Sequence, residues 1–141
     1  MQENHTLVRH ARISIVDDDA SMREAINTLI SSIGFNVNEF LSAEDFLKSD
    51  RFEDFDCLIL DVRMPGLDGL ELQRRLIAAN NNIPIVFITA HYSEEQRRIA
   101  MDAGAVAFLR KPFTEEELLN AIDASLAIRN KSVDRLDEER D

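Results

Sequence analysis

The sequence alternates short, nearly continuous apolar runs with longer segments in which apolar residues recur every three or four positions. Each longer segment starts at a capping residue or ends at a glycine, as amphipathic helices do. Apolar strands separated by such helices are typical of a parallel sheet that is covered on both faces. The pattern predicts a doubly wound α/β domain, a five-stranded parallel sheet with five flanking helices. The predicted strands are 12–16, 35–40, 57–60, 83–88 and 105–109.

Length and composition limit the classes of protein to which the chain can belong. It has 141 residues, with 16 Lys and Arg against 27 Asp and Glu, and a net charge of −11. This length fits one domain, and the negative charge disfavours nucleic-acid binding. The single cysteine, Cys57, excludes an internal disulfide. Because the sequence shows neither a secretory signal nor a membrane-spanning apolar run, we expect a soluble, cytoplasmic domain that binds neither nucleic acid nor a membrane.

Chemically reactive side chains stand where the predicted strands end. Asp17, Asp18 and Asp19 follow the first strand, and Asp61 ends the third. Thr89 ends the fourth strand, and Lys111 closely follows the fifth. Taken singly, each has an ordinary structural explanation, such as helix capping for the aspartates. Because parallel strands share one carboxyl edge, where open sheets bind ligands, we expect these groups to converge.

The chemistry of this edge follows from its charges. A cluster of carboxylates is unfavourable unless a cation neutralises it, and oxygen ligands without His or Cys favour Mg²⁺ over zinc. Carboxylate-bound Mg²⁺ and a lysine stabilise a transferring phosphoryl group, and a metal-flanked aspartate can act as its nucleophile. The residues therefore indicate phosphoryl transfer.

Four segments of the sequence form a specific combination: 15–19 (IVDDD), 60–69 (LDVRMPGLDG), 87–90 (FITA) and 108–113 (FLRKPF). Together they resemble the receiver domains of bacterial two-component response regulators (CheY-like). Residues 86–91 and 103–105 further resemble the FixJ-like branch. The resemblance covers about residues 10–128, and it implies a flavodoxin-like sheet with the strand order 2-1-3-4-5.

The resemblance implies an acceptor and a metal site. Asp61 would be the phosphoacceptor and one of the Mg²⁺ ligands. Asp18 would bind Mg²⁺ directly, Asp17 would assist through water, and the backbone carbonyl of Arg63 would complete the site. Asp19 stands where relatives often have Glu, a mild change at a peripheral position.

The resemblance also implies a switch. Thr89 would hydrogen-bond the phosphoryl group, and Lys111 would pair with its charge. A cis peptide between Lys111 and Pro112 would aim the lysine. Phe108 matches the aromatic residue that turns inward on phosphorylation.

By resemblance, the phosphoryl donor is a sensor histidine kinase. The domain would catalyse its own phosphorylation and dephosphorylation without turning over small substrates. The alternative is a pseudo-receiver that acts only as a protein-interaction module, but such a domain typically lacks Asp61 or Lys111. A phosphatase of the haloacid-dehalogenase type needs a second aspartate two residues after the nucleophile, where this chain has Arg63.

The expected organisation is a flexible N-terminus at 1–10, a receiver domain at 11–128, and a charged tail or the start of a helical linker at 129–141. Whether the receiver stands alone or belongs to a longer transcription regulator stays open. The oligomeric state also stays open. A homodimer would form through the fourth helix, fifth strand and fifth helix, or through the C-terminal helix; the alternative for that helix is a frayed tail. The proposed C-terminal seam is Leu119, Ile122, Leu126, Val133 and Leu136.

Overall fold

The computed structural model describes residues 11–49 and 54–140, with side chains described as far as residue 129. Within these ranges five strands alternate with five helices. The predicted N-terminal segment 1–10 lies outside the described residues. The strands are β1 (Arg12–Val16), β2 (Asn36–Phe40), β3 (Cys57–Asp61), β4 (Ile85–Thr89) and β5 (Ala107–Arg110). The helices are α1 (Ala20–Ile33), α2 (Ala43–Lys48), α3 (Gly69–Ala78), α4 (Glu94–Asp102) and α5 (Glu115–Arg140).

The strands form one parallel sheet in the order β2-β1-β3-β4-β5. Val16 is in register with Phe40 on one side and with Leu60 on the other, and Asp61 is in register with Ile88. The carboxyl ends of the central strands therefore lie level, at the point where the strand order reverses. The predicted doubly wound fold and strand order are confirmed.

Each face of the sheet carries its own apolar cluster. Leu58 and Leu60 belong to the cluster that includes residues of α2, α3 and α4. Cys57 and Ile59 belong to the other, with residues of α1 and α5. Every residue of β3 and β4 is buried. Burial on both faces explains why these two strands are continuous apolar runs rather than alternating ones.

Two strands begin two residues later than the sequence predicts, and the reasons are local. Pro84 precedes β4 and has no N–H group to donate to a ladder, although its carbonyl accepts the Leu58 N–H. The backbone N–H of Ala105 donates to the carbonyl of Ala100, so it closes the end of α4 instead of entering β5. The start of α5 is capped in both directions, because Glu117 Oε1 accepts the Thr114 N–H and Thr114 Oγ1 accepts the Glu117 N–H.

Helix α5 is 26 residues long and continues without a break through the predicted boundary at residue 128. Ile122 and Leu126 on this helix are buried against the sheet and α1. The predicted pairing seam is therefore wrong at these two positions, because the domain core already covers them. No helix in the described ranges, α5 included, combines the length and apolar character needed to cross a membrane.

Candidate functional site

Three carboxylates from two neighbouring strand ends meet at the carboxyl edge of the sheet. Asp17 and Asp18 follow β1, and Asp61 is the last residue of β3. One oxygen from each lies within 4.8 Å of the others. Asp17 is fully buried and Asp61 is 6% exposed, whereas Asp18 is exposed. Two acids of the cluster, Asp17 and Asp61, are therefore buried, and the third, Asp18, is open to solvent.

Lys111 supplies a cation to the buried part of this cluster. Its Nζ lies 3.0 Å from Asp17 Oδ2 and 3.7 Å from Asp61 Oδ2. Its backbone N–H donates to the carbonyl of Thr89 at 2.7 Å, which ties the end of β5 to the end of β4. The Lys111–Pro112 peptide is cis, as the resemblance implied. The structure therefore brings together four of the predicted site residues.

The electrostatics of the cluster favour proton binding by Asp61 in the absence of a metal. Burial, together with repulsion and hydrogen bonding from the neighbouring Asp17 carboxylate, raises the pKa of Asp61 to about 7. Lys111 and the backbone N–H of Arg63 lower the pKa of Asp61 by smaller amounts. A cation bound among the three acids would restore the ionised carboxylate that a nucleophile needs.

This raised pKa predicts how the metal-free protein responds to pH. Between about pH 4 and pH 7 the folded state holds a proton on Asp61 that the unfolded state has lost, so folding stability falls as pH rises through this window. Asp61→Asn removes that dependence and is expected to be more stable than wild type at pH 8 by about 2–4 kcal/mol. Urea unfolding with a chelator at pH 4.5 and pH 8 measures the difference. A difference that does not grow with pH would contradict the assigned pKa.

Thr89 ends β4 at the edge of the sheet that carries the cluster, and Phe108 lies within β5. Thr89 is buried, and its Oγ1 accepts the His91 N–H at 3.0 Å; no described hydrogen bond joins it to Asp61. Phe108 is half-buried, with ring-centroid distances of 5.9 Å to the core residue Phe87 and 6.0 Å to the exposed Tyr92. The roles of both residues in a switch stay predictions.

The donor set suits a hard divalent cation. Asp17, Asp18 and Asp61 offer carboxylate oxygens only, which are the ligands that Mg²⁺ and Ca²⁺ prefer. The backbone N–H of Arg63 hydrogen-bonds the Asp61 carboxyl group, so the Arg63 backbone lies next to the cluster. The use of its carbonyl as a ligand stays a prediction. The arrangement is an acidic pocket that could bind a metal.

Two residues that support the pocket were not singled out from the sequence. Gly69 opens α3 and donates its N–H to Val62 O at 2.9 Å, and a Cβ at this position would overlap the backbone carbonyl oxygen of Asp61. A glycine just inside a helix start, where most residues are better helix formers, is the signal for such a close approach. Glu44 accepts the Leu67 N–H at 3.1 Å, which links α2 to the loop after Asp61.

Comparison with known proteins gives consistent matches. Residues 13–123 match the family model described as response regulator receiver domain. The chain is 46% identical to the response regulator protein TodT of Pseudomonas putida over 88% of its length, and 42% identical to the transcriptional regulatory protein FixJ of Bradyrhizobium diazoefficiens over 81%. It spans 55% and 56% of these relatives, little more than half of each. The response regulator StyR superposes with a TM-score of 0.85 at 42% identity, covering 93% of this chain and 66% of StyR.

Proposed function

This chain belongs to the family of response regulator receiver domains, and from that premise we propose that Asp61 accepts a phosphoryl group in a Mg²⁺-dependent reaction. The membership confirms the resemblance seen in the sequence, including the likeness to FixJ. Receiver domains of two-component systems work with histidine kinases. We therefore propose a sensor histidine kinase as the donor, acting on a cytoplasmic receiver domain at 11–128.

The observation that carries the proposal is the position of Asp61, an almost fully buried carboxylate with a lysine ammonium 3.7 Å away. In the transfer, an Asp61 Oδ atom attacks phosphorus and the P–N bond of the phosphohistidine breaks. The electron pair of that bond stays on the nitrogen, and the imidazole leaves neutral because its other nitrogen carries a proton. The product is an acyl phosphate on Asp61, and its hydrolysis releases phosphate and restores the carboxylate.

The neighbouring side chains have separable tasks. Asp17, Asp18 and Asp61 would hold Mg²⁺, which when bound neutralises the acids and offsets phosphoryl charge. Lys111 would pair with a phosphoryl oxygen, since its ammonium already contacts Asp61. Thr89 would donate its hydroxyl to another oxygen. Such fixed groups stabilise charge that is spread over the transferring phosphoryl group.

The pseudo-receiver alternative is not favoured, because Asp61 and Lys111 are both present and in contact. The chain spans about half the length of these relatives, and we propose that the switch controls a partner or an output domain. Self-association through α4, β5 and α5 stays a proposal, supported by the exposed apolar side chains of Tyr92 and Ile99 on this side. Leu119 is only partly buried and packs against the core. Val133 and Leu136 lie beyond residue 129, where side chains are not described, and helix pairing through them stays a proposal.

The proposal is tested by incubating the chain with acetyl phosphate, with Mg²⁺ or with a chelator, and measuring intact mass. We expect a gain of one phosphoryl group per chain with Mg²⁺ and none with the chelator, because an uncompensated acid cluster repels the anionic donor. A chain that gains no mass from acetyl phosphate with Mg²⁺, nor from a phosphorylated histidine kinase, would contradict the proposal and favour a pseudo-receiver.

The switch can be tested with beryllofluoride, which mimics the phosphoryl group. We expect amide resonance shifts at Thr89, His91, Phe108 and Tyr92 as well as around Asp61. The Thr89 hydroxyl would turn to donate its proton to the new ligand, and its oxygen accepts the His91 N–H in the unmodified domain. Two-dimensional NMR of the ¹⁵N-labelled chain measures this. Residues of β2 serve as the internal reference. Shifts restricted to the loop after Asp61 would mean that the change is not transmitted.

A further inference from the structure

Arg23 on α1 contacts the backbone that carries the acidic cluster. Its Nη1 donates to the backbone carbonyl of Asp17 at 2.7 Å. Its Nε lies 3.4 Å from Glu39 Oε1 on β2, and its side chain is only 11% exposed. One guanidinium therefore joins α1, β2 and the residue after β1, and Arg's planar fork of donors suits such bridging.

The Asp17 carbonyl depends on this contact. Pairing between β1 and β2 ends at Val16 and Phe40, and the Asp17 N–H makes the last backbone contact, to Phe40 O at 3.3 Å. Asp17 is fully buried, so a carbonyl here without a donor would be costly. Arg23 supplies that donor and thereby fixes the peptide unit between Asp17 and Asp18.

Two of the three cluster acids, Asp17 and Asp18, flank that peptide unit. Asp17 Oδ1 accepts the Asp19 N–H at 2.9 Å, and its Oδ2 accepts from Lys111 Nζ at 3.0 Å. The Asp17 carboxylate is thus oriented by the loop after β1 and by the residue after β5, while Arg23 holds its backbone. Among the described ion pairs, Arg23 contacts Glu39 and leaves the oxygens of the cluster to other partners.

From these contacts we infer that Arg23 is a positioning residue for the metal pocket: it fixes the Asp17–Asp18 backbone without taking a ligand oxygen. The inference rests on the proposed function, since it concerns the affinity of the pocket for Mg²⁺. It differs from the role of Lys111, whose ammonium occupies Asp17 Oδ2 and faces Asp61. Residues that orient ligands in this way typically change metal affinity about tenfold or more when they are replaced.

The test measures Mg²⁺ binding by isothermal titration calorimetry, together with acetyl phosphate labelling over a range of Mg²⁺ concentrations. We expect Arg23→Met to bind Mg²⁺ about tenfold more weakly than wild type, with the labelling rate restored at saturating Mg²⁺. Arg23→Lys keeps one donor group, so its Mg²⁺ affinity should lie between those of wild type and Arg23→Met. Glu39→Gln keeps an acceptor for the guanidinium and should stay close to wild type. Arg97→Met is the matched control, because Arg97 forms an exposed pair with Glu94 on α4.

The outcomes separate this inference from the proposed function. Wild-type affinity in folded Arg23→Met, or in Arg23→Lys if the methionine variant does not fold, would overturn the inference. A lower melting temperature with unchanged Mg²⁺ affinity would also overturn it, since Arg23 would then be structural only. If the labelling rate of Arg23→Met stayed low at saturating Mg²⁺, Arg23 would act in the transfer step, and the inference that it is a positioning residue would be overturned. If wild type itself binds no Mg²⁺, the proposed function fails first.

Discussion

Asp61→Asn is expected to lower phosphoryl uptake from acetyl phosphate by at least about a hundredfold. The amide has nearly the shape of the carboxylate but is a poor nucleophile. Because Asp61 carries an unfavourable charge in the metal-free domain, the variant should fold at least as stably as wild type. Loss of uptake would therefore report chemistry and not unfolding. Intact mass after timed incubation with Mg²⁺ measures the rate.

The matched control is Asp68→Asn. Asp68 also follows β3 but caps α3, accepting the Glu71 N–H at 2.9 Å, and Asn is an equally good N-cap. This variant should be labelled at the wild-type rate. Undiminished uptake by Asp61→Asn would instead place the acceptor on another acid of the cluster, of which Asp18 is the exposed member.

Lys111→Met is expected to slow phosphoryl uptake about a hundredfold. The ammonium contacts both buried acids, and methionine keeps an apolar stem of similar length without the charge. The metal-free variant should also lose about 1–3 kcal/mol of folding stability, because a buried ion pair loses one partner while Asp61 can still bind a proton. Urea unfolding and intact mass measure the two effects.

Lys48→Met serves as the control for Lys111→Met. Lys48 is an exposed lysine at the end of α2, so its replacement should change neither rate nor stability measurably. If Lys111→Met were labelled as fast as wild type at every Mg²⁺ concentration, the lysine would have no part in the transfer.

The features that could be predicted are those that the local sequence pattern determines. Burial on both faces makes β3 and β4 continuous apolar runs, so the sequence predicts both strands and their ends at Asp61 and Thr89. In a parallel sheet these ends must share an edge, which is why the grouping of Asp17, Asp61 and Lys111 was foreseeable. The cis peptide before Pro112 followed from resemblance alone.

Two kinds of contact were not predicted from the sequence. One kind involves backbone atoms, and the other depends on which of two surfaces covers an apolar helix face. Arg23 contacts the carbonyl of Asp17, and Gly69 lies against the carbonyl of Asp61. A glycine at a helix start signals a close approach, but a residue pattern does not say which carbonyl is approached. A periodic apolar stripe shows that a helix face is buried but not what buries it. For this reason Ile122 and Leu126 suggested a second subunit, whereas the domain's own core covers them.

The most direct measurement of the central claim is the position of the phosphoryl group. Borohydride reduces an acyl phosphate of aspartate to homoserine, so the labelled chain can be reduced, digested and sequenced by mass spectrometry. We predict homoserine at position 61 in the sample incubated with acetyl phosphate and Mg²⁺. In the sample incubated with acetyl phosphate and a chelator, we predict aspartate at that position. Homoserine at another position, or aspartate at 61 in a chain that has gained a phosphoryl group, would contradict the assignment.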